Sequence, residues 1–199
     1  MSPPPAVAWR AFPWDRDAAP GGPFSPSWVP PSQGQGRFDL PATPRGVIYL
    51  AESPVHAVAE RIQHFRGQPL DEADLRVAAH PLALVRVEIP ERLSESLADL
   101  CDPSVLTLLG IRPDETASGS RRTTQRIAAA IHAAGYHGLR WWSALRGDWH
   151  TLVLFRETLT SPLRFEAPEP LTLSHEVVRI AMRELGIAAG RTRRASPDG

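Results

Sequence analysis

The sequence predicts an α+β fold in a single domain, with a mixed or antiparallel sheet and helices packed around it. Three observations lead there. Candidate strands and helices follow one another without the regular strand–helix alternation of a doubly wound sheet. The apolar runs are short and rich in β-formers, as in Gly46-Val-Ile-Tyr-Leu-Ala51. No glycine-rich phosphate loop of the G-x-G-x-x-G or Walker type occurs, which leaves Rossmann and P-loop architectures unsupported. A chain of 199 residues can bury roughly 70% of its unfolded surface in one core, so no metal or disulfide staple is required.

Residues 1–45 hold 11 of the 21 prolines and three of the six tryptophans, Trp9, Trp14 and Trp28. Proline at this density opposes regular helix and central strand, whereas a disordered linker would be poor in aromatics. The segment is therefore expected to be an ordered, mostly irregular arm belonging to the domain, with a short strand at Ala6–Arg10. Residues 46–186 are the expected core and 187–199 a flexible tail, frayed over Arg191–Gly199. Gly46–Ala51 reads as a buried strand. Ser53 as N-cap and Pro54 at the first helical position open a helix expected to reach Phe65 and stop at Gly67. Val55, Val58, Ile62 and Phe65 form its apolar stripe. Leu82–Ile89 alternates as a strand, and Leu93–Leu109 is expected to hold one or two short helices interrupted by Pro103. Arg121–Ala134 reads as a longer helix with Ile127, Ala128, Ile131 and Ala134 inward and Gly135 ending it. His137–Ser143 and His150–Phe155 read as strands joined by a loop. Ser174–Leu185 is the last helix, capped by Ser174 and ended by Gly186.

Lys+Arg and Asp+Glu number 22 each, so no global field draws nucleic acid or anionic lipid. All 22 basic residues are arginine. That excludes lysine Schiff-base chemistry and leaves any phosphate to arginine forks. Hydrophobic residues at 42% and charged residues at 22% are globular values, against wholesale disorder. No apolar run approaches a bilayer span, and the proline-bearing N-terminus lacks the pattern of a secretory leader. Cys101 stands alone, which excludes a disulfide framework and a multi-cysteine zinc site. The expectation is a cytoplasmic protein without a membrane partner.

Few residues interrupt these patterns in ways that suggest chemistry. Glu60 lies two positions from both Val58 and Ile62, near the helix face opposite the stripe. It is either a solvated carboxylate paired with His56 or His64 at four-residue spacing, or a carboxylate aimed into a cleft beneath the arm. Tyr49 breaks an aliphatic strand, as a core tyrosine with a satisfied hydroxyl or as a platform for a flat ligand. Arg10 and Arg37 adjoin Trp9 and Phe38, where guanidiniums rest on apolar neighbours. Ser143 closes Gly138-Leu-Arg-Trp-Trp-Ser143, as a turn former or a hydroxyl offered to a ligand. No G-x-S-x-G elbow surrounds it, so it is not read as a hydrolase nucleophile. The seven histidines lack metal-ligand spacing, and Asp15, Asp17, Asp71, Glu72 and Asp74 read as solvated loop charges. A non-enzymatic binding module presenting Trp141 and Trp142 is the contrasting possibility.

Val7-Ala-Trp-Arg10, Gly36-Arg-Phe-Asp39, Val47-Ile-Tyr-Leu-Ala-Glu-Ser-Pro54 leading into Ala57-Val-Ala-Glu60, and Gly138-Leu139 through Ser143 to Leu152-Val-Leu-Phe155 together resemble the RES-domain family, named for its arginine, glutamate and serine. The likeness spans roughly residues 6–156 and is most specific over Tyr49–Glu60. It departs from the family pattern at Asp39-Leu-Pro-Ala42, where asparagine and a glycine-containing turn are usual, and at Trp142, where proline is usual. The resemblance implies a fold related to ADP-ribosyltransferases. It also implies an enzyme that destroys NAD, releasing nicotinamide by phosphorolysis or hydrolysis. NAD is then substrate rather than cofactor, with inorganic phosphate as co-substrate if phosphorolysis operates, and no metal is implied. A toxin of a toxin–antitoxin pair is implied, held by a Xre-type antitoxin that carries any DNA contact and with which it could form a larger oligomer. The implied catalytic residues are Glu60, Arg37 and Ser143. Glu60 would stabilise the cationic ribose, while Arg10 and Arg37 would hold the diphosphate or an attacking phosphate. Tyr49 would stack on nicotinamide or ribose, and Ser143 would bond the ribose or a phosphate oxygen. ADP-ribosyl transfer to a macromolecule is the alternative on the same fold.

Overall fold

The strands collect into one mixed sheet in the computed structural model, which describes residues 7–30, 33–40, 46–159 and 162–190. In chain order the elements are β1 (Val7–Pro13), β2 (Val47–Ala51), α1 (Pro54–Ile62), β3 (Arg76–Val77), β4 (His80–Glu88), α2 (Glu91–Ser94), β5 (Leu97–Asp99), α3 (Pro103–Leu108), α4 (Pro113–Thr116), α5 (Arg121–Ala133), β6 (Gly138–Trp142), β7 (His150–Phe155), β8 (Arg164–Phe165), β9 (Glu169–Pro170) and α6 (Glu176–Leu185). The sheet order is β3-β4-β1-β2-β7-β6-β5, with β8 and β9 also on β4. Pairings between these strands are antiparallel except that of β5 with β6. This is the α+β architecture expected from the sequence.

One junction in the sheet matters most. β1 pairs with β4 along its whole length, from Val7 opposite Glu88 to Pro13 opposite Leu82. Against β2 it makes a single pair, Trp9 opposite Ala51, whereas β2 pairs fully with β7. The ladder therefore parts between β1 and β2, leaving two half-sheets joined at that pair.

Period-two patterning sends alternate residues to opposite faces. Ile48, Leu50, Val85, Leu152 and Leu154 meet in a cluster shared by both halves. Val47, Val153 and Phe155 face α5 through Ile127, Ala128 and Ile131. Leu82 and Leu84 face α1 and α6 through Val58, Ile62, Val178 and Leu185. Val58 and Ile62 are at most 1% exposed. Each contributes about 1.5–3 kcal/mol by burial, and together they set the rotation of α1 about its axis.

Several elements depart from the sequence expectation for local reasons. The strand expected at Ala6–Arg10 runs on to Pro13 and lies in the sheet interior; the proline-dense chain resumes only beyond it, and Ala6 lies outside the described residues. Helix α1 ends at Ile62, and Gln63–Phe65 tighten into a 3-10 turn before Gly67 at φ +78°. Pro103 does not interrupt a helix. It takes the first position of α3 behind the N-cap Asp102, where its missing N–H costs nothing. Leu97–Asp99, within the stretch read as helical, is a strand too short for its period to show. Ala134 is exposed just past the end of α5 rather than inward. The cap of α6 is His175, whose Nδ1 accepts from the Val177 N–H, and not Ser174.

Residues 187–190, expected to begin a flexible tail, lie along Leu70. Its N–H donates to the Ala188 carbonyl (2.9 Å) and its carbonyl accepts from the Gly190 N–H (2.8 Å). The expected frayed run Arg191–Gly199 lies outside the described residues. Among the described residues no helix is long and apolar enough to cross a membrane.

Candidate active site

Where β1 and β2 part, a cleft of about 670 Å³ opens, within the range of roughly 300–1,000 Å³ usual for small-molecule sites. Trp9, Phe12, Phe24, Trp28, Phe38 and Trp141 give it aromatic walls. Arg10, Arg37, Tyr49, Glu60 and Ser143, the residues singled out from the sequence, all line it. They arrive from five places. Arg10 comes from β1, Arg37 from the loop before β2, Tyr49 from β2 and Glu60 from α1, while Ser143 follows β6 directly.

Glu60 is the centre of a hydrogen-bonded group. The Ser143 hydroxyl donates to Glu60 Oε1 (2.8 Å), and Gln63 Nε2 donates to Oε2 (2.8 Å). His56 Nε2 lies 3.0 Å from the same Oε1. The other ring nitrogen, Nδ1, faces the His150 carbonyl at 3.1 Å. A carbonyl only accepts, so Nδ1 carries a proton there, and Nε2 donates to the carboxylate in the imidazolium form. His56 is fully buried on α1 and packs on Trp149, with centroids 5.2 Å apart. Burial by itself would raise the Glu60 carboxyl, but the hydrogen bonds from His56, Ser143 and Gln63 outweigh it and hold the group below its ordinary value. The carboxylate nevertheless remains open to the cleft, its side chain 39% exposed. Of the two sequence readings of Glu60, the four-residue pairing is present, but with a buried histidine and in a cleft.

Ser143 is held on both sides. Its N–H donates to the Trp149 carbonyl (2.6 Å) and its hydroxyl oxygen accepts from the Leu145 N–H (3.1 Å). With those bonds made, the hydroxyl proton is directed at Glu60.

The loop carrying Arg37 is knitted by Asp39. Its Oδ2 accepts from the Gly34 and Gly36 N–H groups (2.7 Å each), and Oδ1 accepts from the Tyr49 hydroxyl (2.8 Å). The Tyr49 oxygen in turn accepts from the Phe38 N–H (3.0 Å). Burial and then Asp39 push the Tyr49 phenol far above its ordinary value, so it stays a hydrogen donor. The position needs an acceptor for three donors, and the two carboxylate oxygens of Asp39 supply it. Tyr49 thus acts as a core strut whose ring also walls the cleft. Arg37 Nη2 donates to the Thr116 carbonyl (2.9 Å), and its guanidinium lies 4.4 Å from the Trp141 ring centroid. Arg37 Nε is buried and meets no acceptor among the described residues.

Arg10 points at the arm. Its two terminal nitrogens donate to the Pro26 and Trp28 carbonyls, the latter at 2.7 Å. Burial, followed by repulsion from Arg61 and Arg156, lowers it to about 10, which still leaves it charged at neutral pH. Among the described residues, no ion pair joins Arg10, Arg37 or Arg61 to a carboxylate. Three cations therefore share a cleft with one carboxylate that is itself paired. Such a cleft favours an anionic ligand with flat groups.

His56, Asp39, Gln63 and Arg61 were not assigned to the site from the sequence. Only His56 carried a readable signal, its four-residue spacing from Glu60. Among the described residues no cluster of histidine, cysteine, aspartate or glutamate could hold a metal ion.

A mixed sheet that parts around arginines, a glutamate and a serine defines an α+β domain with a cleft between its two half-sheets. The RES domain family model matches residues 7–175, and the chain belongs to the RES domain family. Among solved structures it is similar to the crystal structure of the M. tuberculosis MbcT–MbcA toxin–antitoxin complex. The TM-score is 0.55 at 20% identity, over 90% of this chain and 88% of that one, a likeness of fold. No curated protein sequence matches significantly.

Proposed function

We propose that the cleft binds NAD and breaks the bond between nicotinamide and ribose, as the toxin of a toxin–antitoxin pair. The observation that carries this is the chain of hydrogen bonds from Ser143 and His56 to Glu60, set in an arginine-bearing aromatic cleft of a RES domain. In NAD the nicotinamide nitrogen bears a positive charge. When its bond to ribose C1 breaks, the bonding pair leaves with nicotinamide, which departs neutral without needing a proton. The charge passes to C1 and the ring oxygen of the ribose. A carboxylate held ionised beside that sugar stabilises the developing cation, and Glu60 is oriented for it by three donors before substrate arrives. Arg37 and Arg10 place positive charge where the diphosphate would lie, and Tyr49 supplies a flat wall. An oxygen of water or inorganic phosphate then bonds to C1 and loses its proton to solvent, giving ADP-ribose or ADP-ribose-1″-phosphate. Likeness to the MbcT–MbcA complex supports an antitoxin protein as partner, and its Xre type follows from the family resemblance.

The test is NAD consumption by purified protein with and without phosphate, both products identified by mass. Nicotinamide with ADP-ribose-1″-phosphate, formed only in phosphate, is the outcome for a phosphorylase. Free ADP-ribose in either buffer is the outcome for a glycohydrolase. ADP-ribose attached to an added protein or nucleic acid would move the activity to group transfer, and intact NAD would contradict it.

A further inference from the structure

Three arginines line the cleft, and their surroundings differ. Arg10 has both terminal nitrogens on arm carbonyls. Arg37 is anchored to Thr116 and packed on Trp141. Arg61, in the last turn of α1 and adjacent to Glu60, has no side-chain hydrogen bond or ion pair among the described residues, yet lines the same cleft. It is open to water by surface but ringed by protein, and burial lowers its guanidinium below its ordinary value. Arg10 lies close enough for the two to repel. A bland role exists for a cation in the last helical turn, where it complements the helix dipole. That role needs neither a concave wall nor a second arginine nearby. A guanidinium on the wall of an aromatic cleft, with no protein acceptor among the described residues and a second cation near it, suits an oxyanion that its fork can take.

We propose that Arg61 is an oxyanion subsite of the cleft, taking phosphate oxygens of the ligand beside Glu60. The assignment rests on the reading of the cleft as a site for a phosphate-bearing ligand. Two sources share this chemistry, the diphosphate of the dinucleotide and free inorganic phosphate as acceptor. In either case Arg10 ties the arm to the sheet through the Pro26 and Trp28 carbonyls while lending its charge to the cleft, and Arg61 offers the ligand a guanidinium with no protein acceptor among the described residues.

Calorimetric titration of ADP-ribose and of orthophosphate into the full chain tests this, using wild type, Arg61→Gln and Arg61→Lys. Melting curves check that each variant folds. Wild type is expected to bind at least one probe, and Arg61→Gln to weaken that binding about tenfold or more, as for loss of a charge-assisted fork. Arg61→Lys, which keeps the charge without the fork, should recover part of it. Weakening confined to ADP-ribose assigns the subsite to the diphosphate, and weakening confined to orthophosphate assigns it to the acceptor. Equal binding by wild type and Arg61→Gln, or no binding of either probe by wild type, would overturn the subsite. Nicotinamide release separates the two ideas. Weakened binding without release by wild type would retain the subsite and remove the NAD reaction. Release with unweakened binding in Arg61→Gln would do the reverse.

Discussion

At the scale of single residues, the site depends on which donors meet one carboxylate. Glu60 is held below its ordinary value by His56, Ser143 and Gln63 against the opposing effect of burial. The sign follows from linkage. A depressed carboxyl stabilises the fold above its unfolded value, about 4.3, and loses that contribution as pH falls through the lower folded value. Nicotinamide release that needs the ionised form should therefore persist down to about pH 4 as far as Glu60 is concerned. Release that failed already near pH 6 in a variant lacking His56, but not in wild type, would place the depression in that histidine. His56→Phe keeps a ring against Trp149 and removes both donors. It is expected to lower kcat by about 10- to 100-fold through misplacement of Glu60, with KM for NAD changed far less. An equal change in both would contradict a positioning role. Glu60, Ser143, Arg37 and Tyr49 were readable because their spacing survives in the chain as a motif. The engagement of Arg10 was not, since it depends on where the carbonyls of Pro26 and Trp28 fall.

At the scale of elements, caps and close approaches hold the site in register. Ser53 accepts from the His56 N–H and starts α1 three residues before His56, which in turn meets Glu60 one turn on. Ser53→Ala should cost about 1 kcal/mol, a fall in Tm of about 2–4 °C for a chain of this size. An unchanged Tm would show that packing of Val58 and Ile62 alone sets the helix. Gly36 carries a stricter constraint, because a Cβ there would run into the Asp39 carboxylate and the Tyr49 hydroxyl. Gly36→Ala is expected to cost about 1–3 kcal/mol and to displace Arg37. A thermal melt and the NAD rate measured together would reveal whether stability and activity fall together, as expected, or separately. Longer elements were legible from periodicity and caps, as β4, β7 and α5 illustrate. Leu97–Asp99 was not, because three residues carry no period and its partner, β6, is 41 positions away at the Asp99–Arg140 pair. His175 was missed as a cap because Ser174, the better capping type, stands beside it.

For the whole molecule, the controlling feature is that the β1–β2 ladder stops after one pair. Strand patterning shows which residues are buried, but it does not show where two strands stop pairing, so the cleft itself was not visible in the sequence. The arm was expected to hold a short strand at Ala6–Arg10, and its described part Val7–Pro13 is a longer strand in the interior of the sheet. Once the parting is known, the charge of the cleft follows from three arginines that pair with no carboxylate among the described residues. An anion bound there should stabilise the whole chain. ADP-ribose at 100 times its Kd is expected to add about 2.7 kcal/mol, a rise in Tm of roughly 5–10 °C, and the rise should shrink with salt as the arginine contacts are screened. No shift at any salt concentration would separate the cleft from phosphate-bearing ligands. The most direct measurement is the initial rate of nicotinamide release from NAD by wild type and Glu60→Gln, with both proteins shown to melt alike. Release by wild type, reduced on the order of 100-fold or more in the variant, is the expected result. Equal rates would remove Glu60 from the chemistry, and no release by folded wild type would remove NAD as the substrate.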